Sequence, residues 1–209
     1  MTAYKVEGYQ VGQIMTNCYL VCNEDTKELL IIDPGDQADL ISKKINESGA
    51  KPVAILLTHG HFDHVLAVNE LAESYQIPVY ANENEKKQLH STAAEFFPHL
   101  GRSGEVRVDH FISGEPLLKL AGFEIKVFMT PGHTQGGVCY YFEKEGLLFS
   151  GDTLFFGSIG RTDFPGGSYK DLIQSVETKL FPLPEDVVVY PGHNNATSIG
   201  FEKQNNPFF

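Results

Sequence analysis

The segment THGHFDH at 58–64 places His59, His61, Asp63 and His64 within six residues. Imidazole nitrogens and carboxylate oxygens are the donors that suit zinc, iron or manganese. So many lone pairs in one turn are costly unless a cation shares them. A single histidine on a loop is ordinarily a polar surface residue, but four ligand-type groups in one turn are not explained that way. Three more such groups lie far along the chain: His133 in TPGH, Asp152 in SGD and His193 in PGH. The chain has 8 histidines, and five of them fall in these clusters. Seven protein ligands are too many for one tetrahedral zinc. Shared between two ions, with a bridging carboxylate and a water, they give each ion roughly four to five ligands. Two metals roughly 3.5–4 Å apart are a recurring hydrolytic device.

Four apolar stretches run straight into these groups. VAILL at 53–57 leads to THGHFDH, IKVFM to TPGH, LLFS to GD, and VVVY to PGH. In α/β proteins catalytic groups sit where strands end, because the loops there converge on one edge. Four strand ends offering His and Asp therefore predict a single site. YKVEGYQV, CYLVC and ELLIID read as three early strands, and PGD at 34–36 as a turn. ADLISKKINES carries Leu40, Ile41 and Ile45 at helical spacing, with Gly49 as its C-terminal stop. VLAVNELAESY at 65–75 reads as a helix, IPVYA as a strand, residues 82–98 as a helix ending at Pro98, and 101–109 as loop. In the second half EIKVFM, VCYYFE, LLFSGD and DVVVY read as strands and YKDLIQSVETKL as a helix. Interleaved strands and helices predict mixed α/β layers around sheets, and periodicity alone does not give the number of sheets.

The His-x-His-x-Asp-His motif resembles the signature of metallo-β-lactamase superfamily hydrolases. The resemblance continues in order through TPGHTQGGVCYY, FSGDTLF and VVVYPGH, over nearly the whole chain. TNCYLV near the start, GRTDFPGGS at 160–168 and the NPFF end are similar to short bacterial members of the glyoxalase II group. This resemblance implies an α/β (α+β) fold, a four-layer αββα sandwich with the site at one edge between two sheets. It implies one domain over residues 1–209, without the C-terminal helical glutathione-binding domain of full-length glyoxalase II. It also implies that His59, His61 and His133 bind one metal, that Asp63, His64 and His193 bind a second, and that Asp152 bridges them.

Two divalent cations are the implied cofactor, with zinc the expected ion and iron or manganese the alternatives. Such a pair lowers the pKa of a bridging water from about 15.7 toward about 7. The hydroxide would attack the carbonyl carbon of a thioester such as S-D-lactoylglutathione, with Asp63 orienting it and Asp152 holding both ions. A thiolate leaves with little protonation, which suits a site with no evident general acid. Persulfide dioxygenases share the fold and a similar GRTDF segment, and use one Fe(II) on residues matching His59, His133 and Asp152. A lactonase, or another small-ester hydrolase, is a third reading.

Competing chemistry is not encoded. There is no G-x-S-x-G elbow and no G-x-x-x-x-G-K phosphate cradle. The net charge of −11 repels phosphate backbones and anionic lipid, so neither nucleic acid nor membrane is an expected partner. No apolar run approaches ~18 residues. The first residues show no basic stretch followed by an apolar run, so the expected location is the cytoplasm. Cys18 and Cys22 fall on one face of a predicted strand and read as buried thiols, with a metal or redox pair as the alternative. Cys139 lies inside another strand, an awkward place for a nucleophile. Asp33, Gly35 and Thr58 are expected to support the metal loop. Arg161 either pairs with Asp163 or faces the site and steers an anionic substrate. His90, His99 and His110 read as surface or structural residues, with His99 or Arg102 a candidate channel lining.

Overall fold

The computed structural model describes residues 3–209. The first half builds one six-stranded sheet in chain order: β1 (Tyr4–Val11), β2 (Thr16–Asn23), β3 (Glu28–Ile32), β4 (Lys51–Leu56), β5 (Val79–Asn82) and β6 (His110–Ile112). The first three strands are antiparallel hairpins, and β3 to β6 pair in parallel. Parallel pairing needs crossovers. These carry α1 (Ala38–Ser48), the short α2 (Phe62–Val65), α3 (Val68–Tyr75) and α4 (Lys86–Phe96). Gly49 ends α1 with φ 66°, the left-handed stop that its position predicts.

The second half builds another six-stranded sheet from β7 (Leu117–Leu120), β8 (Phe123–Met129), β9 (Val138–Phe142), β10 (Leu147–Gly151), β13 (Val188–Pro191) and β14 (Thr197–Ser198). A two-stranded ribbon, β11 (Leu154–Phe155) and β12 (Ser158–Ile159), follows β10. The helices α5 (Tyr169–Ser175) and α6 (Ile199–Asn205) complete the chain.

Side-chain alternation sets the layers. Tyr19, Val21, Leu30, Ile32, Ala54 and Leu56 of the first sheet face Phe123, Ile125, Tyr140, Phe142, Leu147 and Phe149 of the second. Their sequence neighbours point outward: Leu20, Leu29, Ile31 and Ile55 pack with Ile41, Ile45, Val68, Leu71 and Leu89 of α1, α3 and α4. On the far side Cys139, Tyr141, Leu148 and Val189 pack with Leu172 of α5 and Ile199 of α6. Each buried Leu, Ile or Phe contributes about 1.5–3 kcal/mol. The result is the αββα order, helix, sheet, sheet, helix.

Two expectations need correction. The helix expected over 65–75 is two helices, because the amides of Leu66 and Ala67 bond to the carbonyls of Gly35 and Pro34 instead of continuing the turn. The helix expected over 82–98 starts only at Lys86: Asn82 closes β5, and its side chain caps a tight turn by accepting from Asn84 N. The loop expected at 101–109 is formed; β6, β7, the ribbon, β14 and α6 are elements that were not read. The added strands have two to four residues, too few for a period to show.

Candidate metal centre

The four strand ends meet at one edge of the sandwich. β4 delivers His59, His61, Asp63 and His64, while β8, β10 and β13 of the facing sheet deliver His133, Asp152 and His193. One ligand atom each from His59, His61 and His133 lies within 4.8 Å of the others, and the same holds for Asp63, His64 and His193. His61 Nδ1 is 2.8 Å from His133 Nε2. Asp152 lies between the trios: Oδ2 is 3.5 Å from both His133 Nε2 and His193 Nε2, and Oδ1 is 3.4 Å from His64 Nε2. Asp63 Oδ2 is 3.3 Å from His64 Nε2 and 3.2 Å from His193 Nε2. Asp33 with His59 and His64 forms a third close group.

Hydrogen bonds behind the ring nitrogens fix which atoms face inward. Asp33 accepts from Thr58 N at 2.7 Å, from Thr58 Oγ1 at 2.5 Å and from His64 Nδ1 at 2.9 Å. Having spent its proton on Asp33, the Thr58 hydroxyl accepts from His59 Nδ1 at 3.1 Å. His133 Nδ1 donates to the carbonyl of Arg161 at 2.7 Å. These bonds leave Nε2 of His59, His64 and His133 pointing into the centre. His59 Nε2, His64 Nε2 and Asp152 Oδ1 are buried with no hydrogen-bond partner. An unpaired buried polar atom costs about 1–3 kcal/mol. Three aimed into one space, two nitrogens and a carboxylate oxygen, fit a divalent cation.

The electrostatics agree with that fit. Burial, reinforced by the charge of His64 and His133, holds His59 well below the usual histidine range. His61 is lowered to about 4, by burial first and then by His133. Both are neutral imidazoles at pH 7, the form that ligates. Burial works to raise Asp63 and Asp152, but it is outweighed by the charge of His64 acting together with His193 and Thr16 at Asp63, and with His133 and His193 at Asp152. Both carboxylates are ionised. Burial works against charge on His64, but the carboxylates of Asp152 and Asp63 raise its pKa well above normal. His193 is raised as well, burial being outweighed by its bond to Asp63 and the charge of Asp152. A cation bound in the centre would take the place of these protons.

A cavity of about 790 Å³ opens over the centre, walled by Phe62, Phe96, Phe155, Phe164 and Ile14 and touching His61, Asp152 and His193. Arg161 also lines it, yet its guanidinium is paired twice with Asp163 at 2.7 Å and lies 3.8 Å over the Phe164 ring. The pairing that its spacing suggested is therefore formed, beside the cavity. His99 lines a smaller cavity of about 270 Å³ that shares Phe62, Asp63 and Phe96 with the first. Arg102 lines neither; it bonds the carbonyl of Leu66 and the carboxylate of Glu70. His90 pairs with Glu105, and His110 stacks on Tyr80. All three cysteines are free and buried.

Residues 11–193 match the Metallo-beta-lactamase superfamily. The chain belongs to that superfamily. It is 41% identical over 206 residues to the probable metallo-hydrolase YqgX of Bacillus subtilis, covering 95% of this chain and 94% of that one. It is 38% identical over 210 residues to the hydroxyacylglutathione hydrolase GloC of Haemophilus influenzae, covering 97% of each. Among solved structures it superposes on the BLEG-1 B3 metallo-beta-lactamase with a TM-score of 0.90 at 40% identity, over 98% of this chain and 99% of that one. It superposes on TTHA1623 in a di-iron-bound form with a TM-score of 0.84 at 34% identity, over 97% and 100%.

Other residues of this metallo-β-lactamase fold brace the centre without having been read from sequence. Thr16 Oγ1 donates to Asp63 Oδ2 at 2.6 Å. Asn17 Nδ2 donates to the carbonyls of Pro191 and Asn194, on either side of the His193 turn. Both lie in TNCYLV, so the segment that carries part of the resemblance is a brace. Gly35, expected from the sequence to support the metal loop, has a steric reason to be glycine: a Cβ there would fall 1.6 Å from the carbonyl oxygen of Asp63. No helix among the described residues is long and apolar enough to cross a membrane.

Proposed function

We propose that the chain is a binuclear metal-dependent hydrolase that cleaves a small-molecule thioester, with S-D-lactoylglutathione as the reference substrate. The observation that carries this is the pair of ligand trios sharing Asp152. His59, His61 and His133 would hold one ion, Asp63, His64 and His193 the other, and Asp152 both. Bound there, two divalent cations lower the pKa of water toward neutrality and polarise a carbonyl. Asp63 orients the attacking water, and Thr16 fixes the Asp63 rotamer. The aromatic wall of the cavity seats the substrate and excludes bulk water. Arg161, held by Asp163 at the cavity wall, meets an anionic carrier. A thiolate departs without a proton donor, so the site needs no general acid. The similarity to GloC, a hydroxyacylglutathione hydrolase, supports the thioester reading. Three free thiols fit a reducing, cytoplasmic setting.

Zinc is the expected ion on this reading. The di-iron-bound form of TTHA1623 makes iron the alternative. A persulfide dioxygenase would hold one Fe(II) on His59, His133 and Asp152 and would consume O₂. Purified protein should hydrolyse S-D-lactoylglutathione without oxygen uptake, and Asp63→Ala should reduce turnover to background. Oxygen uptake with no thioester cleavage would refute the hydrolase.

A further inference from the structure

One buried charge has no part in the scheme above. Glu85 is 1% exposed and lies in the turn Glu83–Glu85 between β5 and α4. Its Oε2 accepts from Gly60 N at 2.6 Å, and its Oε1 from Gly136 N at 2.8 Å. Gly60 stands between His59 and His61, and Gly136 three residues past His133. The two amides thus belong to loops from opposite sheets, and together those loops supply all three members of the first trio. Thr92 of α4 donates to the Gly60 carbonyl at 2.6 Å, so that turn is gripped by both its amide and its carbonyl. The second loop comes close only because residue 136 is glycine: a Cβ there would fall 2.6 Å from Glu85 N and 2.9 Å from Oε1.

Burying a carboxylate is an expensive way to fill space. Burial raises the Glu85 pKa, and the Thr134 hydroxyl, followed by the amides of Gly136 and Gly60, works against that rise. An apolar side chain would pack at lower cost. What a carboxylate adds is two acceptor oxygens, one for each loop.

We propose that Glu85 is a positioning residue that sets the separation of the His59–His61 turn from the His133 loop, and through it the affinity of the first trio for its cation. The inference rests on the ligand assignment proposed above. The second trio has separate braces: Thr16 on Asp63, Asp33 on His64 and Asn17 around His193. Loss of the Glu85 clasp therefore acts on one ion and not the other.

Cobalt(II) titration followed by ligand-field absorption tests this. Two backgrounds isolate the sites: His193→Ala leaves the first trio intact, and His61→Ala leaves the second. Glu85→Gln keeps the shape but turns an NH₂ toward one of the two amides. In the His193→Ala background it should weaken cobalt binding about 10–100-fold, the range for lost outer-shell support. In the His61→Ala background the change should stay within about twofold on the same scale. Equal weakening in both backgrounds, or in neither, overturns the positioning role. Glu85→Asp, which keeps the charge but is one carbon short of both amides, should show the same selectivity and serves if Glu85→Gln does not fold. If the parent chain takes up fewer than two cobalt ions, the ligand assignment fails instead, before the Glu85 variants are compared.

Discussion

Asp33 contacts neither inward-facing nitrogen, yet it orients two of them. It takes the Nδ1 proton of His64 directly and fixes that of His59 through the Thr58 hydroxyl. Because each trio owns one of these histidines, Asp33→Ala should weaken both ions, by about 10–100-fold each. It also strands buried donors at Thr58 and His64, a cost of about 1–3 kcal/mol. Equilibrium dialysis of metal and thermal unfolding measure the two effects, and unchanged affinity at both sites would remove the relay from the account. Asp33 and Thr58 were legible because each directly follows an apolar run, ELLII and VAILL. Thr16 and Glu85 were not. Each acts on a loop far away in sequence. Arg161 shows the opposite limit: its spacing to Asp163 offered the ion pair as one of two readings, but the bond from His133 to its backbone carbonyl follows from no side-chain type.

At the scale of elements, the site depends on how two turns nest. The PGD turn after β3 and the α2 turn after β4 are tied by the amides of Leu66 and Ala67, and residue 35 has no room for a side chain. Gly35→Ala must push the Asp63 carbonyl away. The expected cost is about 1–3 kcal/mol or more, a fall of about 2–4 °C in Tm for each kcal/mol in a chain of this size. The second trio should lose metal affinity more than the first, since Asp63 and His64 sit on the displaced turn. A variant with parental Tm and metal binding would show that the turns are not nested as described. These ties also explain why helical periodicity misled over 65–75: the apolar spacing runs through Leu66 and Ala67, but their amides are taken by the neighbouring turn. The long strands were legible from apolar runs. β6, β7, β14 and the ribbon owe their strand character to pairing with neighbours.

On the scale of the whole molecule, two sheets converge to hold a cluster of charge that is strained without cations. Four histidines give opposite pH dependences once metal is removed. His59 and His61 have lowered pKa values, so their contribution to stability is complete above about pH 6.5 and is lost as pH falls, for His61 toward about 4. His64 and His193 have raised pKa values, so theirs is complete below about pH 6.5 and is lost as pH rises. Chelator-treated protein should therefore show a Tm maximum near pH 6.5, falling on both sides. A Tm flat from pH 5 to 8 would contradict these assignments. The four-layer order was legible only through the family motifs. β2, β9 and β10 are buried on both faces, so their sequences carry no polar alternation to tell one sheet from two.

Metal stoichiometry separates a paired centre from a single-ion site. Purified protein dialysed against a divalent cation and then analysed for metal should carry two ions per chain, falling to one when His193 is replaced by alanine. One ion in the parent chain, unchanged by His193→Ala, would contradict the paired centre and leave only the first trio standing.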